Sequence, residues 1–242
     1  MTNTKNIRIK KPKVLFFGRK DCIKSKKIAK KLESFNFNVT YFKSEKRKES
    51  LPNYVLNWKG DYIICFRSLS ILPKKLLKKA YIAAINFHPA PPEYPGSGCI
   101  NFALYDEVTK YGVTAHIMNS KVDNGDILEV KRFKINMNNN LQEVLSKTHD
   151  ELFKLCYSFI RALSLKGKKH IIEKKQLFKN EKWRGSAKKI KELDRLQSID
   201  VKASKKEIKK IIRATYTEKY PPKIKLHGYK FYLKLDDKKN SC

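Results

Sequence analysis

The sequence lacks any long hydrophobic run. None of its 242 residues lies in an uninterrupted apolar stretch of 18 or more, so no transmembrane helix is expected. The apolar run at residues 14–17 is too short for the apolar part of a signal peptide and is more typical of a strand. Glycine and proline are scarce, with 9 of each, and 41% of the residues are hydrophobic. This composition excludes a disordered or collagen-like chain and is sufficient for an ordinary core.

Cysteine is also sparse and occurs in no CxxC pair. The five cysteines are odd in number and widely spaced: Cys22, Cys65, Cys99, Cys156 and Cys242. Neither a structural metal site nor a disulfide framework is therefore indicated. Reduced thiols in a cytoplasm are the expected state.

Arginine is rare among the basic residues, although the formal net charge is +32. Of 55 basic residues only 9 are Arg, whereas base readout and bidentate phosphate binding favour Arg. The lysines are spread over nearly the whole chain, which indicates a compositional bias rather than a specific nucleic-acid surface. One window escapes this bias, because residues 81–128 hold two Lys, no Arg and five acids.

The first half of the chain alternates between strand and helix patterns. Apolar residues at helical spacing predict a helix at 22–35, and a proline at a helix N-terminus predicts another at 73–80. Short apolar runs predict strands at 14–18, 38–42, 61–66 and 81–87. The order β-α-β-α-β-α-β predicts a doubly wound, Rossmann-like α/β fold, with a parallel sheet and helices on both faces.

The second half extends this core and then changes character. The predicted elements are a helix at 99–106, two hairpin-like strands at 112–118 and 127–135, a long helix at 140–165, a polar loop at 182–200, a basic helix at 203–214 and a terminal β-hairpin around Gly228. We therefore predict a core domain at residues 1–180 and a small C-terminal extension at residues 181–242.

Two polar side chains end the fourth predicted strand. Asn86 and His88 are two residues apart, so they share one face of an extended strand. Ligands of such sheets bind at the carboxyl ends of the strands. There an amide can donate to a developing oxyanion, and an imidazole can move a proton near neutral pH. The other interpretation is that both residues cap the strand and bond locally.

Two further segments can contribute to this edge of the sheet. The loop at 89–98 has four prolines, which suits a rigid cleft wall or simply a rigid surface connection. Asp123 lies in a turn after a strand, where it can orient the imidazole or act as an ordinary turn residue. His116 is predicted to be a packed, hydrogen-bonded histidine, and His149, His170 and His227 are predicted to lie on the surface.

Three segments together resemble the folate-dependent N-formyltransferases. They are Asn86-Phe87-His88-Pro89 with its loop to Gly96, the strand GVTAHIM and the turn VDNGDI. That family includes glycinamide ribonucleotide formyltransferase, methionyl-tRNA formyltransferase and the nucleotide-sugar N-formyltransferases. The resemblance covers residues 10–165 and implies a formyltransferase core, followed here by a small helix and β-hairpin extension.

The resemblance also implies a mechanism with N10-formyltetrahydrofolate as the formyl donor. A primary amine attacks the formyl carbon and a tetrahedral intermediate forms. Asn86 would then bond the formyl oxygen, His88 would stabilise the oxyanion and assist proton movement, and Asp123 would fix the imidazole and accept the amine proton. The folate pocket would be formed by two segments, with the contacts Phe66, Arg67, Ser68, Ile71, Val122, Asp123 and Asp126.

The loop sequence PAPPEYPG and the segment at 212–222 resemble the short nucleotide-sugar enzymes in particular. The implied acceptor is a nucleotide-linked amino sugar, such as dTDP-4-amino-4,6-dideoxyglucose, used for surface polysaccharide such as the O-antigen of lipopolysaccharide. Candidate substrate contacts are Pro91, Tyr94, Gly96, Tyr216 and Tyr220, although the tyrosines can equally be packing residues. Alternatives are formylation of methionyl-tRNA or an aminoribonucleotide and, more remotely, nucleic-acid binding. The resemblance further implies a cytoplasmic homodimer joined through the C-terminal hairpin, without membrane contact.

Overall fold

A six-stranded sheet forms the centre of the chain in a computed structural model that describes residues 10–235. Cys242 lies outside the described residues, and the other four cysteines are buried and free. The sheet order is β2-β1-β3-β4-β5-β6. Its strands are β1 (Lys13–Arg19), β2 (Asn38–Ser44), β3 (Gly60–Phe66), β4 (Ala80–His88), β5 (Lys110–Ile117) and β6 (Ile127–Lys134).

The first four strands are parallel to one another, and the last two are antiparallel. β1 pairs in parallel with both β2 and β3, and β3 pairs in parallel with β4. β5 then runs antiparallel to β4, and β6 antiparallel to β5. This arrangement confirms the predicted doubly wound α/β fold and its hairpin-like continuation. It also brings the start of the loop after β4 close to the strands of the hairpin.

Helices cover both faces of the sheet, but unequally. One face carries α1 (Ile23–Ser34), α5 (Leu141–Lys166) and α6 (Lys168–Leu177), whose apolar side chains share a core cluster with the sheet. The other face carries two short helices, α2 (Asn53–Leu56) and α3 (Lys74–Leu77). The helix predicted at 73–80 is thus a single turn, because β4 already begins at Ala80 and only Leu76 of that turn is buried.

The long helix α5 begins and ends where its sequence signals predict. The Asn140 side chain accepts from the Glu143 backbone N–H, and the Glu143 side chain bonds the Asn140 backbone in return, which forms a capping box. The helix stops at Gly167, whose positive φ of 54° breaks the helical backbone. No helix within residues 10–235 has both the length and the apolar character needed to cross a bilayer.

The C-terminal part differs from the prediction at two places. The polar loop predicted at 182–200 is wrong in part, because this stretch contains α7 (Ile190–Leu196) and the short strand β7 (Ser198–Ile199). Helix α6 was not predicted either. Helix α6 has four Lys among its ten residues, which hides its apolar spacing, and α7 has only seven residues, none of them buried. Within α6, His170 is buried against Phe159, so its predicted surface position is also wrong.

The last elements agree with their sequence signals. Helix α8 (Lys205–Thr215) is followed by β8 (Lys223–Leu226) and β9 (Tyr229–Tyr232), which form an antiparallel hairpin. Its two turn residues, His227 and Gly228, both have positive φ, as a tight hairpin turn requires. Helix α8 packs on α4 (Cys99–Tyr105), and Arg213 donates hydrogen bonds to the backbone carbonyls of Leu104, Asn136 and Asn139. The division at residue 180 stays a prediction.

Candidate active site

The end of β4 presents Asn86 and His88 beside β5. In the antiparallel register, Asn86 lies opposite His116 and His88 lies opposite Thr114. Side chains that face each other across such a pair lie on the same side of the sheet. The spacing of two residues therefore places the amide and the imidazole together, as the sequence predicts, and adds His116 to the group.

Asp123 joins this group from the turn that connects β5 and β6. Its Oδ2 lies 3.3 Å from Nδ1 of His88 and accepts the backbone N–H of Gly96 at 2.8 Å. Its Oδ1 lies 3.5 Å from Nδ2 of Asn86. Asp123 has a positive φ of 44°, a conformation that Asp tolerates better than most residues. The structure thus brings together the three side chains that the sequence singled out.

His116 is a fourth member of the cluster. It is buried and hydrogen-bonded, as predicted, since its Nδ1 lies 2.9 Å from the carbonyl oxygen of Ile117. Its Nε2 lies 3.1 Å from Nδ2 of Asn86 and 3.3 Å from Oδ1 of Asp123. Because a carbonyl can only accept, Nδ1 carries a proton; Nε2 then accepts from the Asn86 amide in the neutral ring and donates to Asp123 in the protonated ring. The sequence places His116 within a strand, but it does not show that Asn86 lies opposite it on the neighbouring strand.

The ionisation of the cluster is set by burial and by these contacts. Burial lowers the pKa of His88, and the Asp123 carboxylate opposes this to a smaller extent. Burial would raise the pKa of Asp123, but the two histidines and the Gly96 N–H outweigh it and hold that pKa well below its usual range. Asp123 is therefore an ionised, fully bonded carboxylate near neutral pH.

His88 has an acceptor at each ring nitrogen. Its Nε2 lies 3.0 Å from the carbonyl oxygen of Tyr94, and its Nδ1 faces Asp123. A neutral ring can donate to only one of these two acceptors, so the geometry favours uptake of a second proton while burial opposes it. Such a balance suits a group that takes up and releases a proton during a reaction.

The loop after β4 contacts the cluster through its backbone, at the Tyr94 carbonyl and the Gly96 N–H. At Gly96, with φ of 91°, an added Cβ would lie 2.4 Å from the backbone nitrogen of Lys188, so no larger residue fits there. The Tyr94 hydroxyl donates to Asp106 at 3.0 Å, and its ring packs near Tyr111. Of the predicted substrate residues, Pro91 and Tyr94 line a cleft of about 390 Å³ together with Glu93, Val108, Lys110, Tyr111, Arg132 and Arg184.

The predicted folate residues occupy different environments. Phe66 is fully buried in the core, so its side chain does not face a ligand, whereas Ile71 and Val122 are exposed by 72% and 51%. Arg67 lies 3.2 Å from Sγ of Cys22 through its Nη1.

Ser68 and Asp126, from the same set of predicted residues, also make polar contacts. Ser68 bonds the Ser44 hydroxyl at 3.3 Å. Asp126 forms an ion pair with Lys175 at 2.7 Å on the surface.

The predicted C-terminal contacts, Tyr216 and Tyr220, follow helix α8. Tyr216 is half-buried, and its backbone N–H bonds the Ile212 carbonyl. Tyr220 is exposed, and its carbonyl accepts from Gln197. The contacts described for these two residues lie within the C-terminal extension, and neither residue is part of the Asn86–His88–Asp123 cluster. Their predicted role stays a prediction.

The C-terminal extension does contribute one side chain to the cluster. Trp183 packs edge-on against His116, with 4.9 Å between ring centroids, and against His88 at 5.8 Å. It lies in the stretch predicted as a polar loop, and the sequence offers no signal for this role except that tryptophan is rare. Within residues 10–235, no group of three or more acidic, His or Cys side chains has an arrangement suited to a metal ion.

Comparison with known proteins places this geometry in context. A methionyl-tRNA formyltransferase from Helicobacter acinonychis is 32% identical over 113 residues, which cover 46% of this chain and 36% of that protein. The chain therefore spans little more than a third of that relative's length.

Two solved structures resemble the fold over more of the chain. A sugar N-formyltransferase from a Shewanella species has a TM-score of 0.63 at 17% identity, and the similarity covers 93% of this chain and 97% of that one. An N-formyltransferase from Helicobacter canadensis, in complex with folinic acid and dTDP-3-aminofucose, has a TM-score of 0.65 at 15% identity and covers 90% and 85%.

One family matches most of the chain directly. The formyl transferase family matches residues 3–159, which include β4, the loop after it, the turn with Asp123 and most of α5. Asn86, His88 and Asp123 all lie inside this match, whereas Trp183 lies outside it. With its doubly wound sheet and this extent of match, the chain belongs to the formyl transferase family.

Proposed function

We propose that this protein transfers the formyl group of N10-formyltetrahydrofolate to the primary amine of a nucleotide-linked amino sugar. The observation that carries the proposal is the convergence of Asn86, His88 and Asp123 at one strand end, within 3.5 Å contacts, in a member of the formyl transferase family. An amide donor, an imidazole and an ionised carboxylate are the groups that acyl transfer to an amine requires.

The residues at this edge of the sheet fit a reduced folate. Ile71 and Val122 are exposed apolar side chains on loops that the family resemblance assigns to the pterin, and Asn86 is only half-buried, unlike His88 and Asp123. When bound, the folate supplies an electrophilic one-carbon unit. The loops would hold it through backbone groups, since Phe66 is packed in the core.

The chain's own residues would act on the reacting carbonyl and on the amine. Asn86 would donate from Nδ2 to the oxygen on which negative charge develops, a contribution of about 10²–10³ in rate. His88 would stabilise the same charge and carry a proton between amine and leaving nitrogen, worth about 10²–10⁴. Asp123 would orient the His88 ring and, directly or through water, accept the amine proton. The new C–N bond forms as the bond to the folate nitrogen breaks, and that nitrogen receives the proton.

The nature of the acceptor is supported by two observations. The sugar N-formyltransferase fold accounts for nearly the whole chain, including the extension after residue 159, and the Helicobacter canadensis enzyme holds a dTDP-amino sugar. In addition, the cleft beside Tyr94 combines apolar walls with Lys110 and Arg184, which suit a base and a pyrophosphate, whereas Arg132 in the same cleft is bonded to Glu93 and Glu181. We propose dTDP-4-amino-4,6-dideoxyglucose as the acceptor and surface polysaccharide as its destination.

A second acceptor is favoured by a different observation. The Helicobacter acinonychis relative, a methionyl-tRNA formyltransferase, is 32% identical over the shared region. Formylation of methionyl-tRNA is therefore the alternative activity of the same cluster.

An assay with a panel of amines tests both proposals. The purified protein is incubated with N10-formyltetrahydrofolate and, separately, with dTDP-4-amino and dTDP-3-amino sugars, charged initiator tRNA and glycinamide ribonucleotide. We expect release of tetrahydrofolate and a mass gain of one formyl group only with an amino-sugar nucleotide. Formylation of the tRNA alone would overturn the sugar proposal but keep formyl transfer, whereas no product with any amine would overturn both.

The C-terminal extension is proposed as the dimer contact of a cytoplasmic enzyme. Tyr229, Phe231 and Tyr232 are exposed on β9, which lies at the edge of its three-stranded sheet. Exposed aromatic edge strands commonly pair with a second chain. We expect a dimer by light scattering and a monomer after Phe231→Lys, while a dimer that survives this change would exclude the hairpin as the contact.

A further inference from the structure

Trp183 makes three contacts with the cluster, although it comes from the extension and not from the core. Its ring packs nearly perpendicular to the rings of His116 and His88, at 4.9 and 5.8 Å. Its indole N–H donates to the carbonyl oxygen of Gly125 at 2.8 Å. One side chain therefore touches both imidazoles and the turn that carries Asp123.

The turn that Trp183 bonds is tight and conformationally costly. An added Cβ at Gly125 would lie only 1.9 Å from the carbonyl oxygen of Ile117, so the turn closes directly on the end of β5. Asp123 in the same turn has a positive φ of 44°. A non-glycine residue at positive φ is strained and needs surrounding contacts to hold it. The indole bond to Gly125 is such a contact.

The residues after Trp183 run along the loop that follows β4. The backbone N–H of Arg184 bonds the Pro92 carbonyl, and that of Lys188 bonds the Pro95 carbonyl. In return, the Ser97 N–H bonds the Lys188 carbonyl at 2.8 Å. Gly96, between these contacts, donates its own N–H to Asp123. Residues 183–188 of the extension therefore contact two backbone segments that orient the Asp123 carboxylate. One is the turn that contains Asp123 and Gly125, and the other is the loop after β4 that contains Gly96.

We propose that Trp183 is a positioning residue of the formyl-transfer site. It holds the Asp123 turn through Gly125, and it covers His88 and His116 so that water does not compete for their hydrogen bonds. The consequence for catalysis rests on the proposed function, but the positioning itself does not. Trp183 lies beyond residue 159, so this assignment comes from the geometry and not from the family match.

Graded substitutions separate the two roles of the indole. Trp183→Phe keeps an aromatic ring and loses the N–H, so we expect kcat to fall about 3- to 10-fold, the range of one net hydrogen bond. Trp183→Ala removes both, and we expect a loss of about 10²-fold, as when a catalytic group is displaced. In both variants kcat falls more than KM changes, because Trp183 acts on the side chains that do the chemistry.

The second tryptophan is the matched control. Trp58 packs against the core cluster on the face with α2 and α3, away from the cluster of His88 and Asp123. Trp58→Phe should therefore leave kcat within about twofold of the parent. A Trp183→Ala protein with the parent's kcat and pH profile would overturn the proposal. An equal fall in kcat in Trp58→Ala would also overturn it, provided that the two Ala variants have the same thermal stability as each other. The fall in kcat would then follow from general destabilisation and not from the position of Trp183.

A measurement without substrate keeps the test independent of the proposed function. In the Trp58→Phe protein, Trp183 is the only tryptophan, so its fluorescence reports its contact with the imidazoles. We expect its emission maximum to move to longer wavelength after a further His116→Ala substitution, because removal of the packed ring exposes the indole to water. A His227→Ala substitution in the exposed hairpin turn should leave the maximum unchanged. An emission maximum that His116→Ala leaves unchanged would contradict the contact, even if no amine were formylated.

Discussion

Residues 81–128 and residues 181–235 differ strongly in composition, yet they meet at one site. The first stretch has two Lys, no Arg and five acids, and it carries Asn86, His88 and Asp123. The second has 17 basic residues against 6 acids, and its only contribution to the cluster is Trp183. Reacting groups must be specific residue types, whereas a supporting segment needs only backbone hydrogen bonds and one well-placed ring. A departure from the Lys-rich background composition therefore reveals the reacting residues but not the supporting segment.

Loss of the buried carboxylate is expected to have the largest effect. Asp123→Asn removes the charge that both histidines face and gives the turn a residue that still tolerates positive φ. We expect kcat for formyl transfer to fall by about 10²–10⁴, as for loss of proton transfer. Asp61→Asn, near the amino-terminal end of β3 and so at the opposite end of the parallel strands from the cluster, is the control and should change kcat little. Equal losses in the two variants would contradict the special role of residues 81–128.

Loss of the amide is expected to have the next effect. Asn86→Ala removes the donor aimed at the developing oxyanion while leaving His88 bonded to Asp123. The expected fall in kcat is about 10²–10³, with folate binding changed much less. Single-turnover rates with saturating donor test this. Asn124→Ala, an exposed residue of the turn, serves as control, and undiminished turnover in Asn86→Ala would exclude the amide from the chemistry.

Substitutions at two glycines test how closely the extension packs against the loop after β4. Gly96→Ala brings a Cβ to 2.4 Å from the Lys188 backbone at φ of 91°, whereas Gly185→Ala, at φ of 67°, has open space. We expect the first to lower the free energy of unfolding by more than about 3 kcal/mol and the second by about 1 kcal/mol. Urea unfolding followed by circular dichroism decides between them. Similar losses at both positions would mean that the loop and residues 184–188 are not in close contact.

The smallest expected effect is a pH dependence of stability. Burial and the nearby cations of Arg67 and Lys24 lower the pKa of His149 to about 4, and burial also lowers the pKa of His170. These groups bind more protons in the unfolded state between pH 4 and 6.5, so the free energy of unfolding should rise with pH over that window and then level off.

Urea midpoints measured from pH 4 to 7.5 test this dependence. His149→Gln should flatten the rise, whereas His227→Gln, in the exposed hairpin turn, should leave it unchanged. A stability that is independent of pH over this window would be inconsistent with the partly buried His149 and the buried His170 of the structure.

The sequence was most informative where one local pattern sufficed. Strands β1, β3 and β4 are nearly continuous apolar runs, and their burial on both faces of a parallel sheet follows from that alone. The capping box at Asn140 likewise marks the start of α5. By contrast, α7 and α6 are small helices in a Lys-rich stretch, and His170 is buried through contact with Phe159 of another helix. Such features depend on what packs against them, which a local pattern does not contain.

The sequence by itself determined the alternation of strands and helices, the pairing of Asn86 with His88 on one strand face, and the residues that identify the family. Only the tertiary structure decided that Asp123 faces His88, that His116 lies opposite Asn86, and that Trp183 covers both imidazoles. The reason is physical: periodicity and capping act over a few residues along the chain, whereas these contacts join residues 30 to 95 positions apart through the register of β4 and β5 and the packing of the extension.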